Sequence, residues 1–351
     1  MYEPGDAPLD PVKAARSHGL RYVSDAKPGI TRKRRGKHFL YYDSKGERIT
    51  DEAEITRINK LAIPPAWTDV WICPHASGHI QATGKDARGR KQYRYHAGWR
   101  EWRDSDKFSH ILAFGEALPG LRATVKAHMS QRGLTREKVL ATVVSLLDKT
   151  LIRVGNGEYS RNNGSYGLTT LKDEHVDVTG GTVRFRFKGK SGKAWNLKLS
   201  DRRIANVVKA CADIEGQELF KYVDDAGVVR DVTSGDVNAY LKDITGQDFT
   251  AKDFRTWAAT VLAAVAFYEL EPGETQAQIK RNIRQAIEQV SGRLGNTPAI
   301  CRKSYVHPEV VKAYADGLLG DIQLTADTDL QAAEGCVLGF LRQRLAEAQA
   351  A

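Results

Sequence analysis

The chain has 351 residues, 41% of them hydrophobic and 27% charged, with 53 Lys and Arg against 43 Asp and Glu for a net charge of +10. This is the composition of a folded globular protein long enough for two cores; it has no run of about 18 apolar residues that would span a membrane. The basic excess suits a polyanion, because neutralising phosphates releases condensed counterions, but charge alone does not select nucleic acid.

The first residues, Met1 to Lys13, are acidic and lack the basic start and apolar run of a signal peptide. Arg32-Lys-Arg-Arg35 is a basic run, and Lys37 to Tyr42 is predicted as a strand followed by a turn at Asp43-Ser-Lys-Gly46. Asp51 to Leu61 reads as a short helix ended by Pro64-Pro65. Val70 to Cys73 is a further strand, and Gly78 to Thr83 with Lys91 to Tyr95 form a hairpin whose tip, Gly84 to Arg90, is cationic. Near Arg103 to Lys107 the character turns helical, which sets the expected domain boundary there. Thr135 caps a helix reaching about Ile152, with Val139, Leu140, Val143, Leu146 and Leu147 on its apolar face. Thr182 to Lys188 then alternates, with Val183, Phe185 and Phe187 on one side and Arg184, Arg186 and Lys188 on the other. Trp195, Leu197 and Leu199 repeat the pattern on the return strand. Helices are predicted for Asp201 to Ile214, Ser234 to Ile244, Phe254 to Glu269, Glu274 to Leu294 and Asp329 to Ala348. Cys73, Cys211, Cys301 and Cys336 lack CxxC spacing, which argues against zinc and disulfides and for a reducing cytosol. No GxxxxGK[ST] loop supports ATP use, and no carboxylate cluster supports a metal-dependent nuclease.

Five polar residues stand out. Arg153 follows an apolar helix and precedes a Gly-Asn turn, so it is partly buried and needs an anion or a structural salt bridge. Lys190 sits at the tip of the cationic hairpin, where a solvated turn lysine is the plain alternative. Arg255 lies at a predicted helix start, against the dipole, which suggests a bound anion or a partner such as Asp253. Asn296, in Leu294-Gly-Asn-Thr-Pro298, reads equally as a helix cap. Tyr305 closes Cys301-Arg-Lys-Ser-Tyr305 and is one of 13 tyrosines.

In this order and with these flanks, the five resemble the type IB DNA topoisomerase family, especially its small poxviral and bacterial members. Arg153-Val-Gly-Asn156, Tyr159, Asn163, Gly167-Leu168 and Thr170-Leu-Lys172 resemble the block around the family's first catalytic arginine. Phe187-Lys-Gly-Lys190, Lys252-Asp-Phe-Arg-Thr-Trp257, Gly295-Asn-Thr-Pro-Ala299 and Cys301 to Tyr305 match the later blocks. Ile63-Pro-Pro-Ala-Trp67, Gly78 to Gly84 and Lys91 to Tyr95 resemble the small β domain. Two departures occur: Asn296 replaces a common histidine, which keeps a phosphate donor but no proton shuttle, and Trp257 stands where many relatives have tyrosine.

The resemblance implies an α+β fold. An N-terminal β-rich DNA-clamp domain, 1–104, would precede a mainly helical catalytic domain, 105–351, of the tyrosine recombinase and type IB topoisomerase type. It implies that Tyr305 attacks a DNA phosphodiester to leave a 3′-phosphotyrosyl bond, which conserves bond energy and needs no ATP. Arg153, Arg255 and Asn296 would stabilise the phosphoryl oxygens, and Lys190 would protonate the leaving 5′-oxygen. Gln92, Tyr93 and Tyr95 would meet DNA from the small domain, though alternation also allows the tyrosines as half-buried core, and the basic runs at 32–35 and 85–91 would touch phosphates. The expected partner is double-stranded DNA, bound by a monomer in the bacterial cytoplasm at the nucleoid, with no membrane, metal or small-molecule cofactor. A tyrosine recombinase or integrase is the nearest alternative, and Lys252 standing where recombinases carry histidine favours the topoisomerase; a non-catalytic DNA clamp is the other.

Overall fold

Apolar residues in register build the first sheet. The computed structural model describes residues 11–36, 38–270, 272–322 and 330–350. Helix α1 (Pro11–Ser17) precedes strands β1 (Ile30–Arg35) and β2 (His38–Tyr42), helix α2 (Glu52–Lys60), and strands β3 (Thr68–Ile72), β4 (Ile80–Lys85) and β5 (Lys91–Tyr95). The strands form one antiparallel sheet in the order β2-β1-β3-β4-β5. Ile30 lies opposite Ile72, and Ile72 opposite Ala82, so one row of apolar side chains crosses three strands. With Tyr41, Val70 and Ile58 of α2 they make the core of this sheet. The Asp51 side chain caps α2 by accepting from the Ala53 N–H.

Strand β1 was not anticipated, because its sequence reads as a basic run; Lys37, placed at the start of the predicted strand, lies outside the described residues. Arg32 of β1 has structural partners. Its guanidinium donates to the carbonyls of Ile63 (3.3 Å), Pro64 (2.7 Å) and Trp67 (3.1 Å), and so holds the proline turn to the sheet. The β4–β5 tip is less cationic than its composition. Asp86 accepts from the Arg88 and Arg90 N–H groups and pairs with the Arg90 side chain, while Lys85 pairs with Asp69 and Lys91 with Asp25.

The chain divides into two compact units between Phe108 and Ser109. The division falls inside one continuous helix, α3 (Ala97–Met129), rather than in a loop. The second unit continues with α4 (Arg136–Thr150) and α5 (Gly157–Asn163), then an antiparallel sheet of β6 (Val176–Thr179), β7 (Thr182–Lys188) and β8 (Ala194–Ser200). After α6 (Arg202–Ala212) come a two-stranded ribbon of β9 (Lys221–Val223) and β10 (Val229–Asp231) and helices α7 (Ser234–Thr245), α8 (Ala251–Tyr268) and α9 (Gln276–Leu294). Helices α10 (Pro298–Ser304), α11 (Pro308–Ala315) and α12 (Leu330–Ala350) complete the unit; Asp329 of the last predicted helix lies outside the described residues. Val183, Phe185 and Phe187 are buried while Arg184, Arg186 and Lys188 are exposed, as the alternation of β7 requires.

Helix α8 is the centre of this unit. It is apolar on nearly every face and packs against α4, α9, α11 and α12, which is the pattern of a buried helix. It begins three residues earlier than its apolar pattern suggests, because Asp253 accepts from the Thr250 N–H (2.8 Å) and hydroxyl (3.0 Å) to close its first turn. Arg122 of α3 ties the bundle, donating to Asp148 of α4 and Glu334 of α12. No helix among the described residues is long and apolar enough to cross a membrane.

Trp257 of α8 is buried against Gly115 of α3. A Cβ at Gly115 would lie 2.8 Å from the indole, closer than side-chain carbons pack. Gly115→Ala should therefore destabilise the protein by about 1–3 kcal/mol despite the better helix propensity of alanine. Urea unfolding measures this, and an unchanged or raised midpoint would show that the indole can move aside.

Candidate active site

Two helix ends and one helix interior build the site. Helix α4 stops at Leu151, which adopts the left-handed conformation (φ 57°). The chain then runs extended through half-buried Arg153, whose carbonyl accepts from the Leu168 N–H (2.9 Å) while that of Val154 accepts from Thr169 (2.7 Å). These backbones approach so closely that a Cβ at Gly167 would sit 2.5 Å from the Arg153 carbonyl oxygen, so only glycine fits. Helix α9 ends the same way at Gly295 (φ 68°), which turns the chain to present Asn296. Thr297 caps α10 and Pro298 starts it, and the helix runs out at Tyr305. The Tyr305 carbonyl accepts from the Thr260 hydroxyl (3.3 Å) of α8, and that same hydroxyl accepts from the His307 N–H (3.1 Å).

Arg255 rises from the second turn of α8, and only 3% of it is exposed. Its expected partner, Asp253, is occupied by Thr250 and by His110 Nε2 (3.2 Å). Arg255 donates instead to the Leu151 carbonyl and, through Nη2, to the Leu294 carbonyl (2.7 Å). These are the C-terminal ends of α4 and α9, each carrying about half a negative charge. Arg153 donates to the Gly295 carbonyl (3.2 Å) and to Asn296 Oδ1, which also accepts from Arg255 Nη2 at 3.4 Å. Two guanidiniums thus converge on one amide oxygen, and the hydrogen-bond acceptors that meet them among the described residues are neutral.

The electrostatics follow. Burial holds the proton affinity of Arg255 well below that of a free arginine, the charge of Arg153 lowers it further, and the Tyr305 phenol pulls the other way. Burial also lowers that of Arg153, with Tyr305 again opposing. The Arg255 guanidinium carbon stands 5.4 Å from the centre of the Tyr305 ring. With its oxygen committed to the arginines, Asn296 has a definite orientation, and its Nδ2 is buried with no hydrogen-bond partner among the described residues. Asn296 is therefore not a helix cap; Gly295 does that work. Cys301, one turn before Tyr305, is fully buried and its thiol is pushed up to about 11 by that burial, so no thiolate competes as nucleophile.

The structure brings Arg153, Arg255, Asn296 and Tyr305 together. Lys190 stands at the exposed β7–β8 turn, on a hairpin whose Trp195 packs near Gly295. In the first unit, Gln92 donates to Asp86 (2.9 Å) and so braces the hairpin tip. Tyr93 is exposed with Lys91 over its ring, and Tyr95, stacked on it at 5.8 Å, is half-buried beside Trp99. The two carbonyls that receive Arg255, and the Thr260 hydroxyl, were invisible in the sequence.

The family model for the eukaryotic DNA topoisomerase I catalytic core matches residues 96–324. The model for the N-terminal domain of bacterial DNA topoisomerase IB matches residues 38–86. The chain belongs to the type IB DNA topoisomerase family. It is similar to DNA topoisomerase 1B of Acanthamoeba polyphaga mimivirus, 32% identical over 293 residues that cover 82% of this chain and 87% of that one. It is also similar to DNA topoisomerase 1B of Vaccinia virus (strain Copenhagen), at 20% identity over 267 residues, 74% of this chain and 81% of that one.

For a member of this family the shared amide makes a sharp case. Asn296→Asp keeps the acceptor for both arginines but removes the Nδ2 donor and cancels positive charge. Single-turnover DNA cleavage should fall by about 10²–10³-fold, while the thermal midpoint rises. Cleavage at the wild-type rate would show that Asn296 serves packing alone.

Proposed function

We propose that this topoisomerase relaxes supercoiled duplex DNA by cutting and resealing one strand through Tyr305, without ATP or metal. The observation that carries the reading is the convergence of Arg153 and Arg255 on Asn296 beside Tyr305, with neutral acceptors meeting their charge among the described residues. A buried positive site of this kind is suited to a phosphodiester.

In the forward step the Tyr305 phenol gives up its proton to solvent water, eased by the charge of Arg153 and Arg255, and its oxygen bonds to phosphorus as the bond to the 5′-oxygen breaks. The guanidinium forks of Arg153 and Arg255 and the free amide donor of Asn296 meet the non-bridging oxygens, where charge rearranges. Lys190 gives its proton to the departing 5′-oxygen. Resealing is the reverse, with the 5′-hydroxyl attacking the phosphotyrosine and returning its proton to Lys190 while the departing phenolate takes a proton back from water. The exchange of one phosphodiester for another conserves the bond energy, and torque in the DNA drives rotation of the free end.

The mainly helical second unit, with its lysine-bearing hairpin, supports a fold of the tyrosine recombinase and topoisomerase IB type. We assign residues 105–351 to catalysis and 1–104 to holding the duplex, with Gln92, Tyr93 and Tyr95 on the DNA side. We further propose that the protein acts as a monomer. A bacterial-type N-terminal domain and a DNA substrate support work at the nucleoid, in the bacterial cytoplasm.

The purified protein should relax supercoiled plasmid in EDTA without nucleotide, and Tyr305→Phe should abolish relaxation and the covalent DNA adduct while retaining duplex binding. Gel assays of topoisomers and of denatured adduct decide both; relaxation by the phenylalanine variant would remove Tyr305 from the nucleophile's role.

A further inference from the structure

The turn that carries Lys190 is fastened to the end of α9. Gly189 N–H donates to the Lys193 carbonyl (2.8 Å) and Gly192 N–H to the Gly189 carbonyl (3.1 Å), with Ser191 and Gly192 in the left-handed region at φ 63° and 76°. Lys190 and Lys193 therefore belong to one closed backbone frame. From it the Lys193 ammonium donates to the Gly292 carbonyl (2.8 Å) in the last turn of α9. Carbonyls there have no helical partner, and that end of the dipole favours a cation.

Packing follows the same line. A Cβ at Gly295 would lie 3.0 Å from Lys193 Cδ and 3.2 Å from the Trp195 ring, and a Cβ at Gly189 would lie 2.7 Å from Trp195 Nε1. The Lys193 ammonium also stands 5.8 Å from the Trp195 ring centre. Glycine on both sides lets the hairpin and the α9 turn close on each other, and Asn296 is the next residue after Gly295.

We propose that Lys193 is a positioning residue: a latch that holds the hairpin of Lys190 against the turn of Asn296. The ammonium that protonates the 5′-oxygen and the amide that meets the phosphate then share one frame. This rests on the reading of Lys190 as the general acid. Proton transfer needs hydrogen-bond reach, and a displacement of about 1 Å is worth about 10²-fold in rate. A lysine on an exposed turn loses that placement when its turn swings free.

The test uses the full-length protein and two duplexes, one normal and one with sulfur in place of the bridging 5′-oxygen at the cleavage position. A thiolate departs without a proton, so a defect in proton delivery vanishes on the sulfur substrate. Lys193→Met should slow single-turnover cleavage of the oxygen substrate by about 10- to 100-fold, cleave the sulfur substrate at nearly the wild-type rate, and bind duplex with unchanged affinity. Lys193→Arg, which can still reach the Gly292 carbonyl, should recover most of the rate. A thermal midpoint equal to wild type establishes that each variant is folded. Equal slowing on both substrates, no slowing on either, or a loss confined to DNA affinity would each overturn the latch. Lys190→Ala tests the underlying reading separately: if sulfur fails to restore that variant, Lys190 is not the general acid, whatever Lys193 does.

Discussion

The site depends on how a buried arginine is held without being neutralised. A carboxylate beside Arg255 would satisfy it and leave little charge for a phosphate. The fold uses two helix ends instead, aiming the Leu151 and Leu294 carbonyls at the guanidinium. Each contributes partial negative charge, enough to bury the group and too little to cancel it. Asn296 does the same for the pair, accepting from both arginines through a neutral oxygen and keeping its amide donor unspent. In the proposed function, the residual positive charge is the feature on which nucleophile activation and phosphate recognition would both draw.

Much of the rest serves those two helix ends. Leu151 and Gly295 both turn left-handed, and each turn ends a helix and leads the chain to a residue of the candidate site. Thr260, buried in α8, bonds the backbone on either side of Val306 and so fixes the segment of Tyr305 to the same helix that carries Arg255. The arginine and the tyrosine are thus referred to one rigid element, which is what precise placement of reacting groups requires.

The sequence disclosed secondary-structure elements better than the relations between residues. Alternation in Thr182–Lys188 gave the hairpin and its buried face, and periodicity with Thr135 gave α4, because side-chain period is a direct record of burial. The run at 32–35 misled, since a basic strand and a basic surface look alike in one dimension, and the carbonyls that receive Arg32 lie about 30 residues away. Asp253 misled for a similar reason. It is close to Arg255 in sequence, but its carboxylate closes the helix start while the arginine points across the bundle. Partners that are backbone groups leave no trace in residue identity, which is why the setting of Arg255 was legible only in three dimensions.

That setting has an evolutionary and a chemical corollary. Every amino acid brings a carbonyl, so no single replacement at position 151 or 294 deletes the acceptor; only a change that redirects the helix end removes it. Nor does a peptide oxygen take up a proton as conditions turn acidic, so the grip on Arg255 has no titration point of its own. The most deeply held cation of the site is anchored by the part of the chain that neither codon drift nor acidity can rewrite.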